Sequence, residues 1–282
     1  MNSNRIVVPG EPTIVTESRE LILNTFKDLV FIEEGHKYYL NGRDLPSVSA
    51  VTHQFKPEFD GPRIAANYAK KNGFTPEYWL RKWKFKNLKA TTTGTIVHEY
   101  GEGLFWLRCG YPDKMPESCR QKYVKDENWL IPTRPKEEAI LKYYSELAPY
   151  DYPVLSEARV YNNFNPNAQK MKTDYCGTFD LLFYRHNPED PSQDGFIIRD
   201  WKTNGELMSS YSRSKNKNCL APFADLPDES LSMYILQLSC YQIPLQDLGL
   251  NVVEREIIWL KDSGEYELLQ LPDFTDRIRA VL

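Results

Sequence analysis

The side chains best suited to chemistry in this sequence are a few carboxylates and the groups spaced around them. Asp200-Trp201-Lys202 is the one place where an acid is followed two positions later by Lys, and it closes the apolar run Phe196-Ile197-Ile198. Alternation along a strand puts Asp200 and Lys202 on one face. Twenty residues earlier, Asp180 interrupts the apolar stretch Gly177-Thr178-Phe179-Asp180-Leu181-Leu182, and a buried, unpaired carboxylate is costly. Alone, the Asp-x-Lys triple also fits a solvated, ion-paired strand end. If the two segments form a hairpin, however, Asp180 and Asp200 converge, and two carboxylates with a nearby Lys suit a hard cation such as Mg²⁺.

Gly94, His98 and Glu102 are spaced by four, which on a helix aligns a small residue, an imidazole and an acid able to accept the second ring N–H. His98-Glu99-x-x-Glu102 also has half of a zinc-protease pattern but lacks the second His. Glu157 falls inside the apolar segment around Val154 and Val160, where it either joins the acids or sits on the surface near Arg159. Gln237 and Tyr241 are one turn apart on an apolar helix, as core polar groups or as a clamp on a phosphate or base. No phosphate-binding Gly-x-x-x-x-Gly-Lys loop, Gly-x-Ser-x-Gly elbow or dinucleotide fingerprint occurs in the sequence.

The elements that must position these groups are read from periodicity and turn residues. Strands are expected at 29–32, 36–40, 154–161, 175–185, 195–202, 252–261 and 266–271. Helices are expected at 93–107, entered through Thr91-Thr92-Thr93, then at 136–147, 230–245 and 273–281. Asn41-Gly42 signals a turn, and Ser47 caps a short helix. Residues 1–28 show weak periodicity, whereas 111–134 and 209–218 look like polar loops. The Asn187–Ser192 turn cluster makes 175–185 and 195–202 a hairpin. The resulting fold class is α/β, a central mixed sheet flanked by helices over residues 91–282, preceded by a hairpin and helical extension over 1–90.

Residues 63–90 differ in composition, with eight Lys and Arg against the single acid Glu77 and with Tyr78, Trp79, Trp83 and Phe85 interleaved. A local patch of this kind, with Arg81, Lys82, Trp83, Lys84 and Lys86 at its centre, fits nucleic-acid binding even in a chain of net charge −4. An ordinary solvated helix face is the alternative. At 41% hydrophobic and 26% charged, the 282 residues can bury a full core. Five widely separated cysteines form no Cys-x-x-Cys pair, which argues for buried free thiols over disulfides, zinc or iron–sulfur clusters. No apolar run approaches a membrane span and the first residues lack a signal-peptide core, so the expected location is the cytoplasm, with no membrane partner.

In order along the chain, Thr93-Gly94-Thr95-x-x-His98-x-x-x-Glu102, Glu157, Gly177-Thr178-x-Asp180, Asp200-x-Lys202-Thr203 and Gln237-x-x-x-Tyr241 resemble the PD-(D/E)xK nuclease superfamily, in its RecB-like branch, over roughly residues 91–260. Residues 37–48 are similar to the opening of exonuclease-like members carried by phages and mobile elements. Phe179 stands where the family has Pro.

The resemblance implies that Asp180, Asp200, the Trp201 carbonyl and His98 hold Mg²⁺ or Mn²⁺. It further implies that Lys202, with a depressed pKa, orients or deprotonates the attacking water, and that Gln237 and Tyr241 support the site or touch nucleic acid. The expected activity is that of a metal-dependent deoxyribonuclease, an exonuclease on linear single- or double-stranded DNA, working with replication, recombination or repair proteins. The alternatives are an endonuclease of the same chemistry and a nucleic-acid-binding protein that has lost activity on the same fold.

Overall fold

The computed structural model describes residues 10–115, 133–162 and 174–282. The first elements are α1 (Thr13–Thr25), strands β1 (Leu29–Ile32), β2 (Lys37–Leu40) and β3 (Arg43–Leu45), and α2 (Val48–His53). β1–β3 form an antiparallel sheet in that order. Its tight β2–β3 turn places Asn41 and Gly42 at φ 52° and 78°, as a two-residue turn with both central residues left-handed requires. Ser47 caps α2, its hydroxyl accepting the Ala50 N–H at 3.1 Å.

Next come α3 (Gly61–Asn72) and α4 (Pro76–Arg108), followed by α5 (Arg134–Glu146). The strands β4 (Asp151–Asn162), β5 (Tyr175–Arg185) and β6 (Gly195–Lys202) then lead through the single turn α6 (Ser210–Ser214) to α7 (Ser230–Asp247). β7 (Val252–Leu260), β8 (Tyr266–Gln270) and α8 (Thr275–Val281) complete the described chain. The five-stranded sheet runs β4-β5-β6-β7-β8. All neighbours are antiparallel except β6 and β7, whose parallel pairing needs the long crossover containing α7. The fold class is therefore mixed α/β, with a mixed sheet between helices and a smaller antiparallel sheet beside it.

One core lies on the α1, α2 and α7 face, around Val15, Phe179, Leu182, Ile198, Leu236 and Tyr241. The other joins α4 and α5 to the opposite face, around Val97, Phe105, Tyr143, Leu181, Ile197 and Trp201. Cys109, Cys176, Cys219 and Cys240 are buried free thiols, and Cys119 lies outside the described residues, as does most of the loop expected at 111–134. Among the described residues no helix is long and apolar enough to cross a membrane.

The structure extends the sequence reading at two places and corrects it at a third. Residues 13–25 are helical although their periodicity is weak, because the buried stripe includes Arg19, which donates to the carbonyls of Val154 (2.8 Å) and Pro153 (3.0 Å). Residues 61–72 form α3, capped by the Asp60 carboxylate, which accepts the Arg63 N–H at 3.0 Å. The His98 helix starts at Pro76 rather than near Thr93, so one helix crosses the 90/91 boundary between extension and core. Thr91 and Thr92 do not cap it. Their hydroxyls donate to the Asn87 and Leu88 carbonyls (2.7 and 2.8 Å), which lets threonine continue a helix.

Candidate functional site

The β5–β6 ladder runs from Arg185↔Gly195 to Leu181↔Arg199. Continuing that register sets Asp180 opposite Asp200, so the hairpin brings the two acids to its open end. There the ladder gives way to side-chain bonding, and the Asp180 Oδ2 accepts the Trp201 N–H at 2.8 Å. Both acids are buried, at 6% and 2% exposure. Lys202 is ion-paired with Asp200, and its ammonium stands 4.4 Å from the centre of the Tyr234 ring.

α4 supplies His98 from the opposite face. Its Nε2 is 3.1 Å from the Trp201 carbonyl oxygen. Its Nδ1 is 3.3 Å from Asp180 Oδ2 and 3.8 Å from Glu157 Oε1. With acceptors at both ring nitrogens, the imidazolium suits the position, because only that form donates from both. Burial opposes this charge, but Asp180 and then Glu157 outweigh it and raise the pKa to about 9. His98, Glu157 and Asp180 can each offer a ligand atom within 4.8 Å of the others.

The approach of α4 depends on a glycine. A Cβ on Gly101 would lie 2.8 Å from the Trp201 indole nitrogen, and the Gly101 carbonyl accepts the Tyr144 hydroxyl at 3.1 Å. Only a residue without a side chain lets the helix sit this close to β6. Glu157 reaches the cluster by another route. It is a non-glycine residue at φ 49° within β4, a left-handed conformation that costs about 1 kcal/mol or more in a strand.

Several expected partnerships differ. Glu102 does not bond His98; it accepts the Trp106 indole N–H at 3.3 Å, and burial followed by repulsion from Glu157 raises its pKa to about 7. Lys202 is not depressed. Burial pulls its pKa down, yet Asp200 and Asp180 outweigh burial and hold it well above the usual lysine range. Asp200 is raised to about 6, by burial first and Asp180 second, and Asp180 is raised mainly by burial. Gln237 donates to the Tyr241 hydroxyl at 3.2 Å. Tyr241 packs so closely on Gly177 that a Cβ there would lie 2.7 Å from its ring.

The basic segment is helical, with Arg81, Lys82, Lys84 and Lys86 exposed. Trp83 is partly buried, its ring 5.9 Å from Phe59 and 5.6 Å from Tyr68. Trp79 lies 5.4 Å from Tyr68 and donates its indole N–H to the Gly73 carbonyl at 3.1 Å. These two rings hold α3 against α4, whereas Phe85 remains 68% exposed.

The donor set tests well against a divalent cation. Asp200 Oδ2 is buried and, apart from the Lys202 ammonium against it, has no aligned hydrogen-bond donor. The carboxylate and carbonyl donors suit Mg²⁺ or Mn²⁺, and the imidazole beside them is a softer donor that favours Mn²⁺ of the two. No protein-family model matches the chain, and no curated protein matches it.

Proposed function

We propose that this protein is a divalent-metal-dependent deoxyribonuclease of the PD-(D/E)xK superfamily, RecB-like branch, acting as an exonuclease on linear DNA in recombination, replication or repair. The observation that carries the reading is the convergence of Asp180 with His98, Glu157 and the Trp201 carbonyl at the open end of a hairpin whose other strand presents Asp200 and Lys202. Asp180, Asp200, His98 and the Trp201 carbonyl would hold Mg²⁺ or Mn²⁺, with Glu157 beside them. When bound, such an ion lowers the pKa of a water and stabilises charge on phosphoryl oxygens.

The protein groups have distinct parts in this reading. His98 would have to give up the proton that it now shares with its acceptors in order to hold the cation, since only the neutral imidazole ligates. Without the cation, Asp200 and Asp180 hold Lys202 protonated against burial; as those acids take up the ion, Lys202 would orient or deprotonate the attacking water. Gln237 fixes the Tyr241 hydroxyl, and Tyr241 backs β5 at Gly177. Arg81, Lys82, Lys84 and Lys86 supply sequence-independent attraction for phosphates.

The test is cleavage of end-labelled linear DNA and of a closed circle with Mg²⁺ or Mn²⁺. Linear DNA should be degraded and the circle left intact; cutting of the circle would replace exonuclease by endonuclease. Asp200→Asn and Lys202→Ala should each lower the rate by about 10²–10³-fold, the size expected for losing one group that stabilises transition-state charge. Absence of cleavage by the unsubstituted protein on linear single- and double-stranded DNA would overturn the reading.

A further inference from the structure

Glu157 has a second neighbour besides the acid cluster. It lines a half-open hollow of about 330 Å³ between the C-terminal turn of α1, β1, the end of α4 with the turn that follows it, and β4, a volume at the small end of ligand sites. Its apolar walls include Phe26, Trp106 and Leu155, and its rim carries Lys27, Lys114 and Arg159. Three cations therefore face one carboxylate. Among the described residues none of the three has an ion pair, and the Arg159 side chain makes one hydrogen bond, to the Leu29 carbonyl at 3.1 Å, which leaves further guanidinium donors. Glu157 also lies 3.8 Å from His98, so the hollow and the acid cluster share a wall one side chain thick.

We propose that this hollow is a subsite for one unpaired nucleotide of the strand whose backbone lies at the acid cluster. The assignment deepens the nuclease reading and rests on it. A nucleotide has the chemistry the walls match: a flat, weakly polar base for Phe26, Trp106 and Leu155, and an anionic phosphate for Lys27, Lys114 and Arg159. A base held in a duplex is paired and stacked, so entry requires an unpaired one. Aromatic and apolar contacts accept any base, because every base has a π-face.

The experiment is titration of dAMP into the full-length protein in EDTA, followed by calorimetry, with deoxyadenosine and inorganic phosphate titrated separately. Lys27 and Lys114 are exposed, so the double change Lys27→Glu and Lys114→Glu should fold normally, which its melting temperature checks. Lys70→Glu with Lys71→Glu, exposed on α3, controls for general charge. We expect saturable dAMP binding, tighter than either fragment alone. The Lys27 and Lys114 double change should weaken it at least about tenfold, as the loss of a charge-assisted contact predicts, and the α3 control should leave it unchanged.

No saturable dAMP binding, phosphate binding as tight as dAMP, or equal weakening by the two double variants would each overturn the subsite. Because binding is measured without metal, its failure is separable from that of the nuclease reading. DNA cleavage without dAMP binding removes the subsite alone, whereas dAMP binding without any cleavage removes the nuclease and with it the assignment to a substrate strand.

Discussion

The two halves of α4 share one continuous backbone and differ in what lies against them. Residues 93–108 press Val97, Gly101 and Phe105 into the sheet and present His98 to Asp180, Glu157 and the Trp201 carbonyl. Residues 76–92 have α3 as their neighbour, through an aromatic seam of Trp79, Trp83, Tyr68 and Phe59, and leave their Lys and Arg side chains in solvent. Chemical groups are dense in both halves. In the packed half His98 finds partners on other elements and pKa values move far, to about 9 for His98 and about 7 for Glu102. In the solvated half partners are local, with Lys82 4.9 Å from the Trp79 ring and Glu77 lowered by its own backbone N–H and Thr75. Helix geometry sharpens the contrast: at about 1.5 Å and 100° per residue, Lys84 lies some 21 Å from His98 along the axis and about 40° from its side, whereas Lys82 and Lys86 point about 160° and 120° away.

Breaking the fixed half should have the largest effect. His98→Ala should weaken apparent Mn²⁺ affinity by about 10–100-fold with little change in DNA binding, read by titrating Mn²⁺ against cleavage rate; unchanged metal dependence would remove His98 from the ligands. The same residue sets a pH dependence. Its pKa rises from 6.5 to about 9 in the folded chain, so between those values the folded state holds more proton than the unfolded one. Stability from this group is complete below about pH 6.5 and lost as pH rises through 9. Melting in EDTA should show this decline, His98→Ala should reduce it, and added Mn²⁺ should stabilise most at the alkaline end, where no proton competes for the ring.

Next in size is Gly101→Ala. The new Cβ meets the Trp201 indole, and overpacking of this kind costs about 1–3 kcal/mol. Because it moves α4 from β6, it should also weaken Mn²⁺ dependence in the direction of His98→Ala. Lys86→Ala, in the solvated half, should stay within about 0.5 kcal/mol of the parent. Equal melting temperatures for the two variants would erase the contrast between the halves.

The smallest effect is expected on the patch itself. Changing Lys82, Lys84 and Lys86 together to Ala should flatten the salt dependence of DNA binding by about one phosphate contact, with Lys84→Ala alone accounting for most of it. Binding isotherms at several salt concentrations, with cleavage blocked by Asp200→Asn, measure this. A loss of three contacts would mean that DNA wraps the helix.

The hairpin that brings Asp180 and Asp200 together was legible in the sequence, because both strands are apolar runs bounded by turn residues, and β5 and β6 have the bounds read from those runs. The rest of the site was hidden for identifiable reasons. The left-handed backbone at Glu157 leaves no mark on composition. Glu102 has an acceptor's spacing from His98, but Trp106, one turn further along, takes it. The sign of the Lys202 shift depends on two carboxylates meeting it in space. Gly101 did leave a signal, a glycine inside a helical pattern, which often marks close packing. In the fold, α1 was obscured by the buried Arg19, and the true start of α4 by three threonines that have the signature of a helix N-cap.

A last consequence follows from the order of charges on β6. Asp200 faces Asp180 and Lys202, while its predecessor Arg199 is buried on the other face, bonded to Glu256 at 2.6 Å, Asp151 at 2.7 Å and the Tyr143 hydroxyl at 3.1 Å. Sliding a strand by one residue exchanges its two faces. A β6 slipped so that Asp200 took the place of Arg199 would set it against Asp151 and Glu256, three carboxylates together away from water and without the guanidinium that now joins two of them. The misregistered intermediate is thereby penalised while the chain is still assembling, and the charges on β6 act as a spelling check on the strand that carries them.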